Sequence, residues 1–374
     1  MNVLVDSTAF CAHTKLLLNI LKSADIGQTD MLDCFLYASK SEKTGKASLL
    51  AMVERHGIIA RFRLPAEVTE PGQATVDIHL LMDFTRKNTP VQFTRDDENS
   101  LKYTCGPISG SVTLSEEMEI SELPKLEPIL QCNVGSLAAA IKSVTFKPYM
   151  DEDRQHTILE SIEGGRFEAR TFDSLRAAIT GVTPLKLFRV ARLQSETKLL
   201  KAVTALVDGD DENEVATLYG SDIHARLKTP RVEIQWPNTQ MDITDSVTEL
   251  DALREQECPT ASFSYAELES VSKSVVKIAT SSTGAREADI KFFIEAGKVS
   301  VSARSSIGTA HGNLAAKSKG TGSAYVKSPH FSEFLTLIKG LNKDATIHSK
   351  ITSDGHLFMQ TGASTFFLVG SQEE

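Results

Sequence analysis

The chain has few of the features that mark secreted, membrane or disulfide-rich proteins. Its five cysteines are scattered over 374 residues with no Cys-x-x-Cys pair, which argues against a disulfide framework or a thiolate metal site. The first six residues carry no basic region, and the apolar run 16–21 is far too short to span a bilayer. We therefore expect a cytoplasmic protein with neither a signal peptide nor a membrane helix.

Arrangements that would support catalysis are also missing from the sequence. There is no G-x-x-x-x-G-K-[ST] phosphate loop, because the glycines of segment 308–313 are not followed by a lysine and a hydroxyl. The nine histidines are dispersed, and the acidic segment 208–214 lacks the central glycine and the distal glutamate of an EF-hand. We therefore predict no catalytic residue, no metal and no cofactor, and a protein that is not an enzyme.

An excess of positive charge is missing as well, since the formal net charge is −9. A protein that coats nucleic acid with its whole surface would be basic, so that class is excluded. A local basic stripe on an acidic chain is still compatible with this balance.

The sequence does contain an internal repeat of domain size. Amphipathic helical segments begin at Ser7, Ser136 and Ser264, each with apolar residues three or four apart. These starts are separated by about 129 and about 128 residues, a typical domain length. The repeat predicts three domains, over residues 1–125, 126–250 and 251–374. Linkers are predicted near residues 121–128 and in the acidic segment 245–259.

The three segments share one order of elements. Alternating runs after the first helix predict hairpins with glycine turns, at 157–162 with 167–170 and at 290–294 with 299–302. A second helix is predicted in each segment, at 78–86, 195–207 and 328–341. Two or three short strands then close each segment. This order predicts an α+β fold, with two helices packed on mainly antiparallel sheets in every domain.

Residues 167–178, which read FEARTFDSLRAA, resemble a phrase of the bacterial replicative sliding clamp, the beta subunit of the bacterial replicase. In that family a middle-domain strand ends in Thr-Asp-Gly-His-Arg-Leu-Ala. Three positions match this phrase and four differ, the matches being Asp173, Arg176 and Ala178. Segments 74–86 and 236–238 are also similar to the family, and the resemblance covers essentially the whole chain. The departures are typical of a divergent member and leave a host or a phage origin open.

The resemblance implies a head-to-tail homodimer, a ring of six domains whose helices surround duplex DNA as a polymerase processivity factor in DNA replication. Sliding requires many weak contacts to phosphate that are indifferent to base sequence. The candidates for these contacts lie on or beside the predicted helices and in the loop 146–155: Lys15, Lys22, Arg86, Lys87, Lys142, Lys147, Tyr149, Arg154, Lys198, Lys201, Lys273, Lys277, Lys339 and Lys343. Surface lysines more often belong to ordinary solvated helix faces, and the threefold recurrence favours a function.

The resemblance also implies a hydrophobic pocket between the second and third domains. In the family it receives short peptides from the replicative polymerase, the clamp loader and repair proteins. Carried over by position, the pocket comprises Phe172, Ser174, Arg176, Ala177, Pro237, Met241, Ser353, Leu368, Gly370 and Ser371. Arg176 is expected to position polar parts of the peptide, while Phe172 and Leu368 have core packing as an equal alternative. The family's Met-Pro-Met-Arg-Leu-like tail is replaced here by Gly-Ser-Gln-Glu-Glu, which leaves the peptide preference open.

Two other functions stay open on the sequence alone. A clamp-fold interaction scaffold without a replicative ring would fit the divergent C-terminus, and it would bind partners without topological retention on DNA. An enzyme with three repeated domains would need a constellation of acid, base or nucleophile, and the sequence offers none. A clamp predicts a dimer in solution, retention on circular but not on linear DNA, and no nucleotide turnover.

Overall fold

The computed structural model describes residues 1–24, 32–81, 89–95, 99–115, 122–146, 155–162, 166–173, 175–207, 214–239, 244–280 and 289–371. Its α-helices are Ser7–Ala24 (α1), Val134–Val144 (α2), Thr197–Val207 (α3), Thr244–Glu255 (α4), Tyr265–Thr280 (α5) and Ser328–Leu341 (α6). A short 3-10 helix covers Ile78–Leu81. The helices predicted to begin at Ser7, Ser136 and Ser264 are therefore confirmed to within two residues.

The strands alternate with these helices along the chain. In the N-terminal part they are Asn2–Asp6 (β1), Asp33–Lys40 (β2), Ala47–Arg55 (β3), Ile58–Glu70 (β4), Gly72–Asp77 (β5), Pro90–Thr94 (β6), Ser100–Cys105 (β7), Ile108–Thr113 (β8) and Glu127–Asn133 (β9). The middle part contains His156–Ile162 (β10), Arg166–Phe172 (β11), Arg176–Val182 (β12), Lys186–Leu187 (β13), Arg192–Glu196 (β14), Val215–Gly220 (β15), His224–Lys228 (β16) and Val232–Pro237 (β17). The C-terminal part contains Thr260–Ser264 (β18), Asp289–Glu295 (β19), Lys298–Ser305 (β20), Gly308–Ala315 (β21), Lys317–Lys319 (β22), Gly322–Lys327 (β23), Thr346–Ile351 (β24), Leu357–Thr361 (β25) and Ser364–Leu368 (β26).

The chain packs into two compact units. The first comprises Met1–Ala138 with Thr183–Thr239, and the second comprises Ala139–Val182 with Gln240–Glu374. This division does not test the three predicted domains, which stay a prediction. The described strand pairs are antiparallel in both units, so the predicted α+β class is confirmed.

The first unit contains an antiparallel sheet in the order β13-β9-β15-β16-β17-β4-β1-β6-β7-β8, with β2, β3 and β5 attached through β4. Helix α1 begins where Asp6 Oδ1 accepts a hydrogen bond from the Ala9 amide at 2.7 Å, as expected for a helix cap. The buried Phe10 ring lies against the rings of Phe62 and Phe93, which fixes α1 on the sheet. Helices α1 and α3 pack against each other in this unit.

The second unit contains two sheets. One runs in the order β10-β11-β12-β26-β25-β24-β18-β22, and the other in the order β21-β20-β19-β23. The predicted hairpins are confirmed as β10–β11 and β19–β20, and the latter turns at Gly297, whose φ of 78° favours glycine. Helix α5 packs on β20 and β21 and also contacts α6. The three predicted closing strands are confirmed as β24, β25 and β26.

Helix α4 occupies most of the segment 245–259, which the sequence analysis took for a linker, and its role as a connection between domains stays a prediction. Val247, Leu250 and Leu253 recur three residues apart and turn toward the protein, while the acidic residues between them give the segment its linker-like composition. The helix predicted at 78–86 is described only as far as the 3-10 helix at Ile78–Leu81, and the rest lies outside the described residues. No helix in the described residues is long and apolar enough to cross a membrane.

The five cysteines are free, and four of them are buried: Cys11, Cys34, Cys105 and Cys132. Burial raises the pKa of the Cys34 and Cys132 thiols to about 12, so neither forms the reactive thiolate near neutral pH. Cys258 is partly exposed in the connection after α4. We expect a thiol reagent such as dithionitrobenzoate to titrate one cysteine in the native protein and all five after unfolding. Rapid native labelling of several cysteines would contradict the buried positions.

Candidate functional site

The lysines of the first unit lie on its two packed helices. Lys15 and Lys22 are exposed on α1, and Lys198 and Lys201 are exposed on α3. Neither helix contains an aspartate or a glutamate. These helices therefore present positive charge to solvent.

The lysines of the second unit occupy three further helices. Lys142 is exposed on α2, Lys273 and Lys277 on α5, and Lys339 near the end of α6. Lys343 is exposed in the turn after α6.

Part of the lysine charge in the second unit is neutralised by Glu269 on α5. Lys339 Nζ donates a hydrogen bond to Glu269 Oε1 at 2.9 Å, and Lys273 Nζ lies 3.8 Å from the same oxygen. The hydrogen bond from Lys339, with the nearby charge of Lys273, lowers the pKa of Glu269. Glu269 is therefore an anion at neutral pH, and it ties α5 to α6 through a solvent-exposed pair. The other DNA-facing candidates, Arg86, Lys87, Lys147, Tyr149 and Arg154, lie outside the described residues.

The second unit contains a cavity of about 310 Å³ between α4 and the β12–β26 part of its sheet. Its apolar lining consists of Phe172, Ala177, Leu250, Leu253, Phe367 and Val369. Its polar lining consists of Asp173, Arg176, Glu249 and His356. Most of the apolar side chains continue into a buried cluster that includes Ile179 and Phe358, so the cavity floor is part of the core of the unit.

Arg176 is buried in this site, and its guanidinium contacts two carboxylates and an aromatic ring of the same unit. Its side chain is 2% exposed, and Nε and Nη2 donate hydrogen bonds to Asp173 Oδ2 at 2.9 and 2.5 Å. Nη1 donates to Glu333 Oε2 on α6, and the guanidinium lies over the Phe146 ring, 4.5 Å from its centroid. The Asp173 side chain is 0% exposed. These contacts fix the β11–β12 turn against α6, and the peptide contact expected of Arg176 stays a prediction.

Helix α4 is held against the sheet by an ion-pair network. Arg170, 3% exposed, donates to Glu168 Oε2 and to Asp251 Oδ2 on α4, both at 2.9 Å. Arg254 Nη1 lies 3.5 Å from Asp251 and 3.9 Å from Glu168. Together with the buried Leu250, these pairs set the position of α4 and therefore the width of the cavity.

The C-terminal segment closes one side of the cavity through His356. The Gly370 amide donates a hydrogen bond to His356 Nδ1 at 3.0 Å, and the His356 ring packs edge-on against Phe367. Burial lowers the pKa of His356, although the carboxylates of Asp354 and Glu249 act in the opposite direction. Because Nδ1 accepts a hydrogen bond, the ring is neutral with its proton on Nε2. A Cβ at Gly370 would collide with the carbonyl of Gly355, so this approach requires glycine.

The structure brings three of the predicted pocket residues to the cavity: Phe172, Arg176 and Ala177. Leu368 is buried but does not line it, because the adjacent Phe367 and Val369 occupy the cavity side of the chain. Ser353 is exposed in the β24–β25 turn, and Ser371 Oγ donates to Asp289 Oδ2 at 2.7 Å. Pro237 ends β17 in the first unit, and Ser174 and Met241 lie outside the described residues.

Several residues that line the cavity were not predicted from the sequence: Glu249, Leu250, Leu253, His356, Phe367 and Val369. Three of them belong to α4, where the three-residue spacing of Val247, Leu250 and Leu253 was the available signal. His356 offered no signal, since a lone histidine in a turn is compatible with many roles. The described residues contain no group of His, Cys, Asp and Glu side chains able to hold a metal ion.

The chain is similar to known proteins in its structure. No family model and no curated protein matches the sequence. Solved structures match over 100% of both chains: a putative DNA polymerase III beta subunit from Eubacterium rectale (TM-score 0.80, 13% identity), the DNA polymerase III beta subunit from Thermotoga maritima (0.79, 14%) and the DNA polymerase sliding clamp from Bacillus subtilis (0.80, 14%). The chain therefore has the fold of the bacterial DNA polymerase III beta subunit, the sliding clamp.

Proposed function

We propose that the protein is a DNA sliding clamp, a subunit of a homodimeric ring that encircles duplex DNA and holds a replicative DNA polymerase on it. The observation that carries this proposal is the charge of the helices. Helices α1, α2, α3, α5 and α6 contain eight lysines and three glutamates in a chain of net charge −9. The remaining helix, α4, contains four acidic residues and one arginine.

This distribution suits a ring that slides. Lysine ammonium groups on flexible stems attract phosphate without fixing a base sequence, which keeps each contact weak and exchangeable. The acidic remainder of the surface repels DNA, so binding is favoured only where the basic helices gather. No catalytic step is needed for this function, and any ATP used in loading is hydrolysed by a separate clamp loader.

Two sheet edges provide a means of ring closure. Strand β8 (ISGSVT) ends the first unit's sheet, and strand β21 (GTAHGNLA) ends a sheet of the second unit. Neither strand contains a charged residue or a proline, the usual protection of an exposed edge. Ile108 and Ile307, at the start of β8 and just before β21, are 44% and 56% exposed. We infer that β8 of one subunit pairs with β21 of its partner, twice in a head-to-tail dimer.

The cavity beneath α4 supports the second part of the proposal, the docking of partner peptides. It combines a concave apolar floor with a few polar groups, which is the usual construction of a peptide-anchor site. Replicative polymerase and clamp loader would each bind through a short segment placed there.

The function is tested by topological retention on DNA. The protein is incubated at micromolar concentration with a nicked circular plasmid and passed over a sizing column at raised salt, which removes ordinary phosphate contacts. We expect the protein to co-elute with the circle and to be released when a restriction enzyme linearises it.

A matched pair of variants separates the helix charge from general charge. The variant K198E/K201E on α3 should lose most of its co-elution with circular DNA. The variant K317E/K319E on the exposed strand β22 should co-elute as the unmodified protein does. Equal release from circular and linear DNA by the unmodified protein would contradict the ring and favour an interaction scaffold.

A further inference from the structure

The cavity beneath α4 has an apolar floor and an acidic mouth. Phe172, Leu250, Leu253, Phe367 and Val369 supply the apolar surface. Glu249 is exposed on α4 beside it, and Asp354 is exposed in the turn that carries His356. Glu249 and His356 both line the cavity, and Asp354 lies two residues before His356 in the same turn. A ligand side chain that binds in the cavity therefore lies beside Glu249 and close to the turn that carries Asp354.

The positive charge of the lining does not offset these acids. Among the described lining residues Arg176 is the one arginine or lysine, and its guanidinium is shared by the carboxylates of Asp173 and Glu333. His356 adds no positive charge near neutral pH, because its Nδ1 accepts the Gly370 amide hydrogen bond. The field at the mouth of the cavity is therefore negative.

The negative charge is confined to the cavity beneath α4 and is not shared by the neighbouring cavity. A second cavity of the same unit, also about 310 Å³, is lined by Arg254, His348 and Lys350 with hydroxyl and amide groups, and none of its described lining residues carries a carboxylate. The positive charge of this second cavity comes chiefly from Lys350, because the Arg254 guanidinium lies beside Asp251 and Glu168.

We propose that the cavity beneath α4 selects partner segments in which an apolar anchor is flanked by lysine or arginine, and that Glu249 and Asp354 are the residues that make this selection. The proposal rests on the proposed peptide-docking function and adds the chemistry of the partner. Charge complementarity at the rim of an apolar pocket sets partner choice and register more than total affinity. An acidic segment with the same anchor is disfavoured by the same two carboxylates.

The test compares two fluorescent peptides that share one apolar anchor, a leucine followed by a phenylalanine, and carry either two lysines or two glutamates beside it. We expect fluorescence anisotropy with the full chain to show roughly 3- to 10-fold tighter binding of the lysine peptide in low salt. The E249Q/D354N variant should remove most of this preference, and added salt should reduce it. E255Q, an exposed acid on the same helix outside the cavity lining, should preserve it.

The variant L253S distinguishes peptide binding in the cavity from the preference for lysine over glutamate. Leu253 lines the cavity and is half-buried, so its loss should weaken both peptides to a similar extent. If neither peptide binds the unmodified protein, the docking function fails. If both bind equally, or if the preference survives E249Q/D354N, docking stands and the acidic selection is overturned.

Discussion

Replacement of Arg176 by methionine should lower the free energy of unfolding by about 3–5 kcal/mol, the usual cost of removing one partner from a buried ion pair. The Asp173 side chain is completely buried and would lose the two hydrogen bonds that Arg176 donates to it. Glu333 and the Phe146 ring would lose the same guanidinium. Urea unfolding followed by circular dichroism, at one fixed protein concentration, measures the change.

Two further variants identify the cause of this loss. Arg166 is exposed at the start of β11, so R166M should change the free energy by no more than about 0.5 kcal/mol. The double variant R176M/D173N should recover part of the loss, because it removes the unpaired buried charge. If R176M is no more destabilising than R166M, the buried network does not stabilise the β11–β12 turn.

Like charges placed on the two free sheet edges should convert the dimer to a monomer. The variant S109E/S111E/T309E/H311E puts glutamates on the exposed positions of β8 and β21. If these strands pair between subunits, repulsion at both interfaces should raise the dissociation constant by roughly 100-fold or more. Light scattering on a sizing column, across a concentration series, reports the mass directly.

A charge-complementary variant is the matched control for that experiment. S109E/S111E/T309K/H311K changes the same four positions but places opposite charges across the proposed interface. It should remain a dimer, which would exclude misfolding as the cause of dissociation. A four-glutamate variant that stays dimeric would move the interface elsewhere, and an unmodified protein that is a monomer at all micromolar concentrations would contradict the dimeric ring.

The repeated helices and hairpins were predictable because their signals are local. Helix α1 combines the Asp6 cap with apolar residues three or four apart, and the β19–β20 hairpin combines alternation with Gly297 in its turn. Helix α4 was missed for the opposite reason. Its four apolar residues are outnumbered by polar and acidic ones, so composition indicated a linker although the spacing of Val247, Leu250 and Leu253 indicated a helix.

The candidate site was less predictable because its geometry depends on contacts that are distant in sequence. Arg176 was selected from a motif, but its partner Glu333 lies 157 residues away on another element. The resemblance also located β26 without fixing which side of the strand faces the cavity. A shift of one residue reverses that side, which is why Leu368 was chosen and Phe367 was not.

The two walls of the cavity beneath α4 are held in different ways, so a change in its width would come from a shift of the helix. The opposite wall is a paired strand, which cannot move without breaking its ladder, whereas α4 is seated by a short apolar row and by Asp251 and Arg254, whose side chains are 42% and 32% exposed. Ion pairs in such partly solvated positions weaken as ionic strength rises. The aperture of the cavity therefore depends on Asp251 and Arg254, which hold the helix but do not line the cavity, and a substitution at Asp251 should change the size of ligand that fits without removing a ligand contact.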